Sequence, residues 1–336
     1  MRQFLIILCL FFSLSACSKD SFRVMFYNVE NLFDCEHDFG KNDTEFTPDG
    51  AKKWTPARYK HKLNNIAKVI TAVSEWEDLA LIGLCEVENE IVVNDLVNES
   101  VLRTMKYNYV MTDSPDRRGI DVALLYQRDM FNVISTNSIR IHFRNKHQKT
   151  RDILHVTGKV QSGDTLDVFV CHYPSRSGGE KASEGSRNFV ATILKKHTDS
   201  ITYVRTKPNL LIMGDFNDYP DNASMFHILK AQPETEAVTP NGLYNLFYKH
   251  MQEGKGSYKY QGKWNVLDQI IVSGNLMNPK NKLHVKPHSA TIFYDDFILS
   301  NDGGKNKKKP FRSFLGNNYI GGYSDHLPVY IDIRYK

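Results

Sequence analysis

The sequence lacks the features of a disulfide scaffold, a thiolate metal site or a nucleotide-driven enzyme. It holds five cysteines in 336 residues, and no two are spaced as CxxC. Setting aside Cys9 and Cys17 near the N-terminus, Cys35, Cys85 and Cys171 remain, and an odd number closes no complete disulfide framework. Without a CxxC pair, a zinc site built on thiolates is not expected. No Walker loop and no glycine-rich dinucleotide fingerprint occurs, which argues against an NTPase or a dehydrogenase. Internal repeats and long linkers are missing as well. The formal net charge is only +5, which permits an anionic substrate without demanding a polyanionic one.

What is present begins with a leader. Arg2 precedes an apolar run from Phe4 to Leu14, eleven residues, too short to span a bilayer and suited to a signal h-region. The run ends in "LSAC", which resembles the bacterial lipobox; an ordinary secretory signal with a chance cysteine is the alternative. The resemblance implies that residues 1–16 are a signal peptide, that Cys17 is lipidated, and that residues 17–21 form a tether. The expected location is the envelope of a Gram-negative bacterium, with the chain anchored at the outer membrane on its periplasmic or surface side. Residues 22–336 then form one domain, expected to be monomeric. Their apolar and aromatic content, 41% and 12% over the whole chain, suits a packed core.

Continuously apolar segments recur along that domain. Phe22 to Val29, "LALIGLCEV", Asp121 to Tyr126, Asp164 to Tyr173, "NLLIMGD", Val266 to Ser273 and Leu327 to Ile333 read as strands, several of them covered on both faces. "TPARYKHKLNNIAKVITAV" reads as a helix with Thr55 as its cap, Pro56 in the first position and one buried stripe of Tyr59, Leu63, Ile66, Ile70 and Val73. A second helix, roughly Ser183 to Arg205, is expected to turn Phe189, Ile193, His197, Ile201 and Val204 inward. Strands with helices between them, mixed with strands that follow one another directly, predict an α/β sandwich of two mixed sheets with helices outside.

Polar residues sit where these strands end or begin. "FYNVEN" leaves Asn28 and Glu30, "GLCEVEN" leaves Glu86, "VCHYPSR" leaves His172, and "MGDFND" leaves Asp215 and Asn217. "NVLDQII" opens on Asp268, and "GGYSDHLPVY" places Asp325 and His326 before the last strand. A carboxylate buried at a strand end is costly unless it is paired, so repeated cases converging at one end of a sandwich point to a site. Carboxylates and an amide, with few histidines and no cysteine, favour Mg²⁺ or Mn²⁺ over zinc. Histidines with acidic partners can act as general acid, general base or oxyanion donor. Together these point to metal-assisted hydrolysis of a phosphate ester.

The set "YNVEN", "CEVEN", "VCHYPSR", "GDFND", "VLDQIIV" and "SDHLPV", in that order from about Phe22 to Ile333, resembles the endonuclease/exonuclease/phosphatase family. The resemblance implies a four-layer α/β sandwich of the deoxyribonuclease-I type. It makes Glu86 the main Mg²⁺ ligand, with Asn28 beside it and Asp325 completing or supporting the site. It gives Asp215 the attacking water and Asn217 that water or a phosphate oxygen. His326 would contact the scissile phosphate, with Asp268 fixing its tautomer. His172 would stabilise the phosphorane or assist the leaving oxygen, and Glu30 would lie outside the metal's ligand shell. Asp218 is expected to shape the turn that Pro220 completes.

Substrate contacts are sought among basic and aromatic loop residues: Arg118, Arg176, Arg187, Tyr260 and Trp264, together with a lysine run at Lys305, Lys307, Lys308 and Lys309. Three functions remain open at this level. The first is an extracytoplasmic Mg²⁺-dependent nuclease. The second is a phosphatase or phosphodiesterase on a small phosphoester, such as a phospholipid head group or inositol phosphate. The third is a binding protein that keeps the fold without the chemistry.

Overall fold

Alternation along the strands explains the architecture. In the computed structural model, which describes residues 20–335 except 76, 236 and 304–306, the apolar runs form strands buried on both faces. The leader, the Cys17 lipidation site and Lys305 lie outside the described residues. In chain order the elements are β1 (Ser21–Leu32), α1 (Pro56–Val73), β2 (Leu79–Val87), α2 (Glu90–Asn98), β3 (Tyr107–Met111), β4 (Asp121–Gln127), β5 (Phe131–Ile139), β6 (Ile153–Val160), β7 (Thr165–His172), α3 (Glu180–Val204) and β8 (Leu210–Asp215). A π-helical turn at Ala223–Ile228 leads to β9 (Ala231–Pro233), β10 (Leu243–Asn245), α4 (Tyr248–Gln252), β11 (Tyr258–Tyr260), β12 (Lys263–Asn265), β13 (Asp268–Ser273) and α5 (Gly274–Met277). Then come β14 (His284–Val285), β15 (Thr291–Ile292), β16 (Leu299–Asn301), β17 (Lys308–Pro310), β18 (Phe314–Leu315), β19 (Asn318–Tyr319) and β20 (Val329–Arg334).

One sheet runs β14-β20-β1-β2-β4-β3, with β15 also on β20; the other runs β5-β6-β7-β8-β13-β10-β9. Both are mixed, with β1/β2 and β7/β8 parallel and antiparallel pairs on either side. Along β7 and β8, Phe169, Cys171, Leu210 and Ile212 pack with Val190, Ala191 and Leu194 of α3. Val168, Val170, Leu211 and Met213 join the core shared with the first sheet. The stripe Leu63, Ile66, Ile70 and Val73 seats α1 on that core from outside. The result is the expected four-layer sandwich. Gly83 of β2 permits its close inner contact: a Cβ there would come 2.7 Å from Met213 Sδ and 3.1 Å from Phe26 Cδ2.

Two local expectations change. Thr55 precedes α1 but its side chain makes no capping bond, although Pro56 does open the helix. In α3 the buried stripe is Arg187, Val190, Ala191, Leu194 and Thr198. Phe189, Ile193 and Ile201 pack at its edge, His197 is half-buried rather than core, and Val204 is exposed. The helix is rotated because Arg187 is drawn inward by a buried acid, a polar contact that an apolar periodicity cannot register.

The same alternation delivers polar residues past the apolar runs. His172 continues the Val168–Val170 side of β7, Asp215 the Leu211–Met213 side of β8, and Asp268 the Ile270–Val272 side of β13. All three therefore turn between the sheets. They are neighbours in register, His172 opposite Asp215 and Asp215 opposite Asp268.

Candidate active site

The first sheet supplies the facing half. Asn28 lies near the end of β1, and Glu86 sits at a register shift near the end of β2. Glu30, Asn31, Glu86 and Asn217 all adopt left-handed backbone conformations, with φ of 55°, 55°, 62° and 51°. Each such non-glycine residue costs about 1–2 kcal/mol, and such strain persists where the surroundings over-determine it. At Glu86 the turn re-aims a side chain that strict alternation would send outward, bringing its Oε1 to 3.9 Å from His172 Nε2.

Two hydrogen bonds join the halves. Asn28 Nδ2 donates to Asp215 Oδ2 at 3.1 Å, and His326 Nδ1 donates to Asp268 Oδ2 at 2.7 Å. Ser257 Oγ also donates to Asp268 Oδ2, which fixes that carboxylate from a second side. Ser324 Oγ donates to the Asn28 carbonyl and accepts from the His326 amide, at 2.7 and 3.0 Å, so the β1 end and the histidine loop are held together. Asp215 Oδ2 lies 3.8 Å from His172 Nε2 and 3.9 Å from His326 Nε2. Both separations exceed a direct hydrogen bond and suit a bridging oxygen.

Electrostatics separates the two histidines. Burial alone would depress His326, but Asp268, Asp215 and Asp325 outweigh it and hold the ring well above its ordinary value, so it is charged at neutral pH. Burial, with Arg151, Arg118 and His326 nearby, drives His172 well below its ordinary value, so it is neutral. Asp215 is pushed up to about 6 by burial and the Asp268 charge, partly offset by His326. Glu86 is held low despite burial, because Arg118, His326, Arg151 and the Asn31 amide favour its charge. Two like groups with divergent protonation are the arrangement that acid–base chemistry uses.

Of the oxygen groups expected to hold a metal, Glu86, Asn28 and Asp325 come to this end of the sandwich, and the donor set suits a hard divalent ion. Glu86 is charged, and among the described residues its one permanent cationic partner is Arg118, 3.5 Å away, while neutral His172 Nε2 lies 3.9 Å off. Asp325 is half-buried and bonded to Arg312 Nη2 at 2.9 Å. Carboxylate oxygens of Asp215 and Asp268 and a ring nitrogen of His326 also lie within 4.8 Å of one another. That proximity is already explained by the His326–Asp268 hydrogen bond, so the first set fits an ion better. Glu30 is turned aside: Ser313 N donates to it at 2.6 Å, with Arg312 and buried Lys62 beside it.

Residues 23–335 match the model of the Endonuclease/Exonuclease/phosphatase family. Among solved structures, the human Nocturnin catalytic domain with bound sulfate is 19% identical with a TM-score of 0.57, covering 95% of this chain and 96% of its own. Bacteroides thetaiotaomicron mannosyl-6-phosphatase is 15% identical with a TM-score of 0.56, covering 94% and 100%. D. rerio TDP2 complexed with single strand DNA product is 12% identical with a TM-score of 0.57, covering 94% and 100%. At these identities the likeness is one of fold. A comparison with curated protein sequences found no match.

A cavity of about 930 Å³ opens over the site, lined by Glu86, His172, Asp215, Asn217, Asp325 and His326. Of the expected substrate contacts, Arg118, Arg176 and Tyr260 line it. Arg176 is braced by the Asn217 carbonyl, Asp218 and Asn222 and lies over the Tyr219 ring. Trp264 does not reach the cavity; it packs against Tyr294 beneath Lys259. Lys308 and Lys309 pair with Asp296 and Asp302. Arg151, unnoticed in the sequence, does line the cavity, held by Asp116 and the Tyr173 carbonyl. Its signal was available: like Asp268, it stands just before an apolar strand.

Arg187 is the plainest correction. It is fully buried, with Nε 2.7 Å from Asp218 Oδ1, and Ser224 Oγ completes the acid's shell at 2.6 Å. Asp218 is thus an ion-pair anchor under the active-site turn, not merely a turn former. Arg187→Ala should destabilise the protein by about 3–5 kcal/mol, the usual cost of orphaning a buried charge, measured by chemical denaturation. An unchanged midpoint with a raised KM would return Arg187 to the substrate.

Proposed function

This chain belongs to the endonuclease/exonuclease/phosphatase family, and on that premise we propose that it is a divalent-metal-dependent phosphoester hydrolase. The observation that carries the reading is Asp215 Oδ2 standing 3.8–3.9 Å from one neutral and one charged histidine, with Asn28 bonded to the same oxygen. A bridging water there has a base with a raised pKa on one side and donors for a phosphate oxygen on the other. Asp215 takes the water's proton as the oxygen attacks phosphorus, and Asn217, also lining the cavity, helps orient that water. His326, kept charged by Asp268, donates from Nε2 to the scissile phosphate. His172, neutral, offers a second donor where negative charge builds. Mg²⁺ or Mn²⁺ held by Glu86, with Asn28 and Asp325, would supply Lewis-acid charge to the phosphate oxygens.

The cavity favours a compact phosphoester over a long polynucleotide. Its volume is in the range of small-molecule sites, and it is bordered by residues 175–180 and the β11–β12 hairpin. Of the lysine run that would have followed a phosphate chain, Lys308 and Lys309 face Asp296 and Asp302. Nuclease action is the second reading, supported by Tyr260, which is 60% exposed at the cavity edge and able to stack a base.

A substrate panel tests both readings. EDTA-sensitive turnover is expected on a sugar phosphate or a chromogenic phosphoester, and weaker turnover on single-stranded DNA or RNA. Inactivity on every substrate, with metal bound, would leave a binding protein. His326→Ala should lower kcat by about 10²–10⁴-fold; a loss below tenfold would remove the His–Asp pair from the chemistry.

We propose further that the enzyme works in the cell envelope, tethered through Cys17, on the strength of the "LSAC" sequence. Metabolic palmitate labelling should be lost in Cys17→Ala; retained label would place the acyl chain elsewhere.

A further inference from the structure

A second group of acids lies beside the active site and takes no part in the chemistry above. The chain leaves β1 after Leu32 and loops through Asp34, His37, Asp38 and Asp43 before α1, turning at Gly40 with φ 83°. The loop is pinned to the end of β2: Asp34 N donates to Glu88 Oε2 at 2.7 Å, and Glu88 N donates to the Leu32 carbonyl at 3.1 Å. One carboxylate oxygen from each of Asp38, Asp43 and Glu88 lies within 4.8 Å of the other two. Glu88 and Asp43 are buried, 4% and 1% exposed, while Asp38 is exposed at the rim.

The charge is poorly compensated. Asp43 contacts His37 Nδ1, and its other oxygen accepts from the Asp38 amide at 2.9 Å. Among the described residues, no lysine or arginine forms an ion pair with Asp38, Asp43 or Glu88. Lys41, the nearest candidate by sequence, is spent on the Ser114 and Asp116 carbonyls, both at 3.2 Å. Asp34 frames the group, its own oxygens taken by the Glu36 amide and Asn89 Nδ2. Most telling, Glu88 Oε1 is buried with no hydrogen-bond partner. A buried, orphaned carboxylate oxygen beside two further carboxylates is costly unless a cation completes it.

We propose that Asp38, Asp43 and Glu88 form a binding site for a hard divalent cation, Ca²⁺ in preference to Mg²⁺. The donors are all oxygens, two on the loop and one just past the end of β2, and such an unevenly spaced set suits the flexible shell of Ca²⁺ better than the strict octahedron of Mg²⁺. The ion ties the loop after β1 to the end of β2, and so braces the two strand ends that carry Asn28 and Glu86. It is a clip for the active-site frame, not a participant in hydrolysis.

The test is thermal denaturation with calorimetric titration of CaCl₂ and MgCl₂ into the EDTA-treated protein. It is carried out in a Glu86→Gln background, so that ion binding in the active site does not mask the result. Ca²⁺ at a hundredfold excess over its Kd should raise the midpoint by roughly 5 °C. Adding Asp38→Asn or Asp43→Asn should weaken Ca²⁺ binding at least tenfold; Asp38 is exposed, so that variant is expected to fold even if the other does not. No midpoint shift and no binding heat with either ion would overturn the proposal, with a proton then neutralising Glu88. A Ca²⁺ response unchanged by Asp38→Asn would place the ion elsewhere and also overturn it. Equal responses to both ions would overturn the preference for Ca²⁺.

Discussion

The hydrogen bond between His326 and Asp268 crosses the sandwich, and the active end depends on it. His326 precedes the last strand of one sheet; Asp268 opens β13 of the other. Asn28 and Asp215 make a second crossing nearby. Neither bond forms unless both sheets are in register and packed at the proper distance, which glycine at position 83 helps to set. Site geometry is therefore a property of the whole core, and a distant packing error reaches it through two rigid sheets.

The crossing bonds also manage charge. Glu86, Asp215, Asp268 and Asp325 are gathered at one end of the core, a concentration that hydrophobic packing alone would never favour. His326 remains charged because of them, Arg118 holds Glu86, and Arg312 holds Asp325. The compensation is incomplete: Asp215 stays raised to about 6, and Asp268 Oδ1 is buried without a partner. Left-handed backbone at Glu86 and Asn217 adds strain in the same place. A protein selected for stability alone would shed these features, so their clustering is the physical mark of a working site.

Much of this could be read in the sequence. Apolar runs gave the strands because strands covered on both faces have no polar side to conceal, and residues 210 to 215 were recognisable without any partner. The polar residues at strand ends stood out because they broke those runs. What escaped depended on partners distant in sequence. Arg187 looked like a basic substrate contact beside His172 until Asp218 was found against it. Lys308 and Lys309 looked available until Asp296 and Asp302 were found against them. Trp264 and the π-facing lysine above it belong to a hairpin whose direction local sequence does not specify.

In the proposed mechanism Asp215 is kept for chemistry at the expense of stability. Its folded-state pKa of about 6 lies above the ordinary value of 3.8, so the stability it contributes is full below about pH 4 and lost as pH rises through about 6. Asn at this position cannot ionise and escapes that loss. The direct measurement is the thermal midpoint at pH 8 with chelator, paired with turnover in Mg²⁺, for wild type and Asp215→Asn. A midpoint equal to or above wild type is expected, with turnover at least about a hundredfold lower. A lowered midpoint with turnover within tenfold of wild type would contradict it, and would make Asp215 a structural carboxylate.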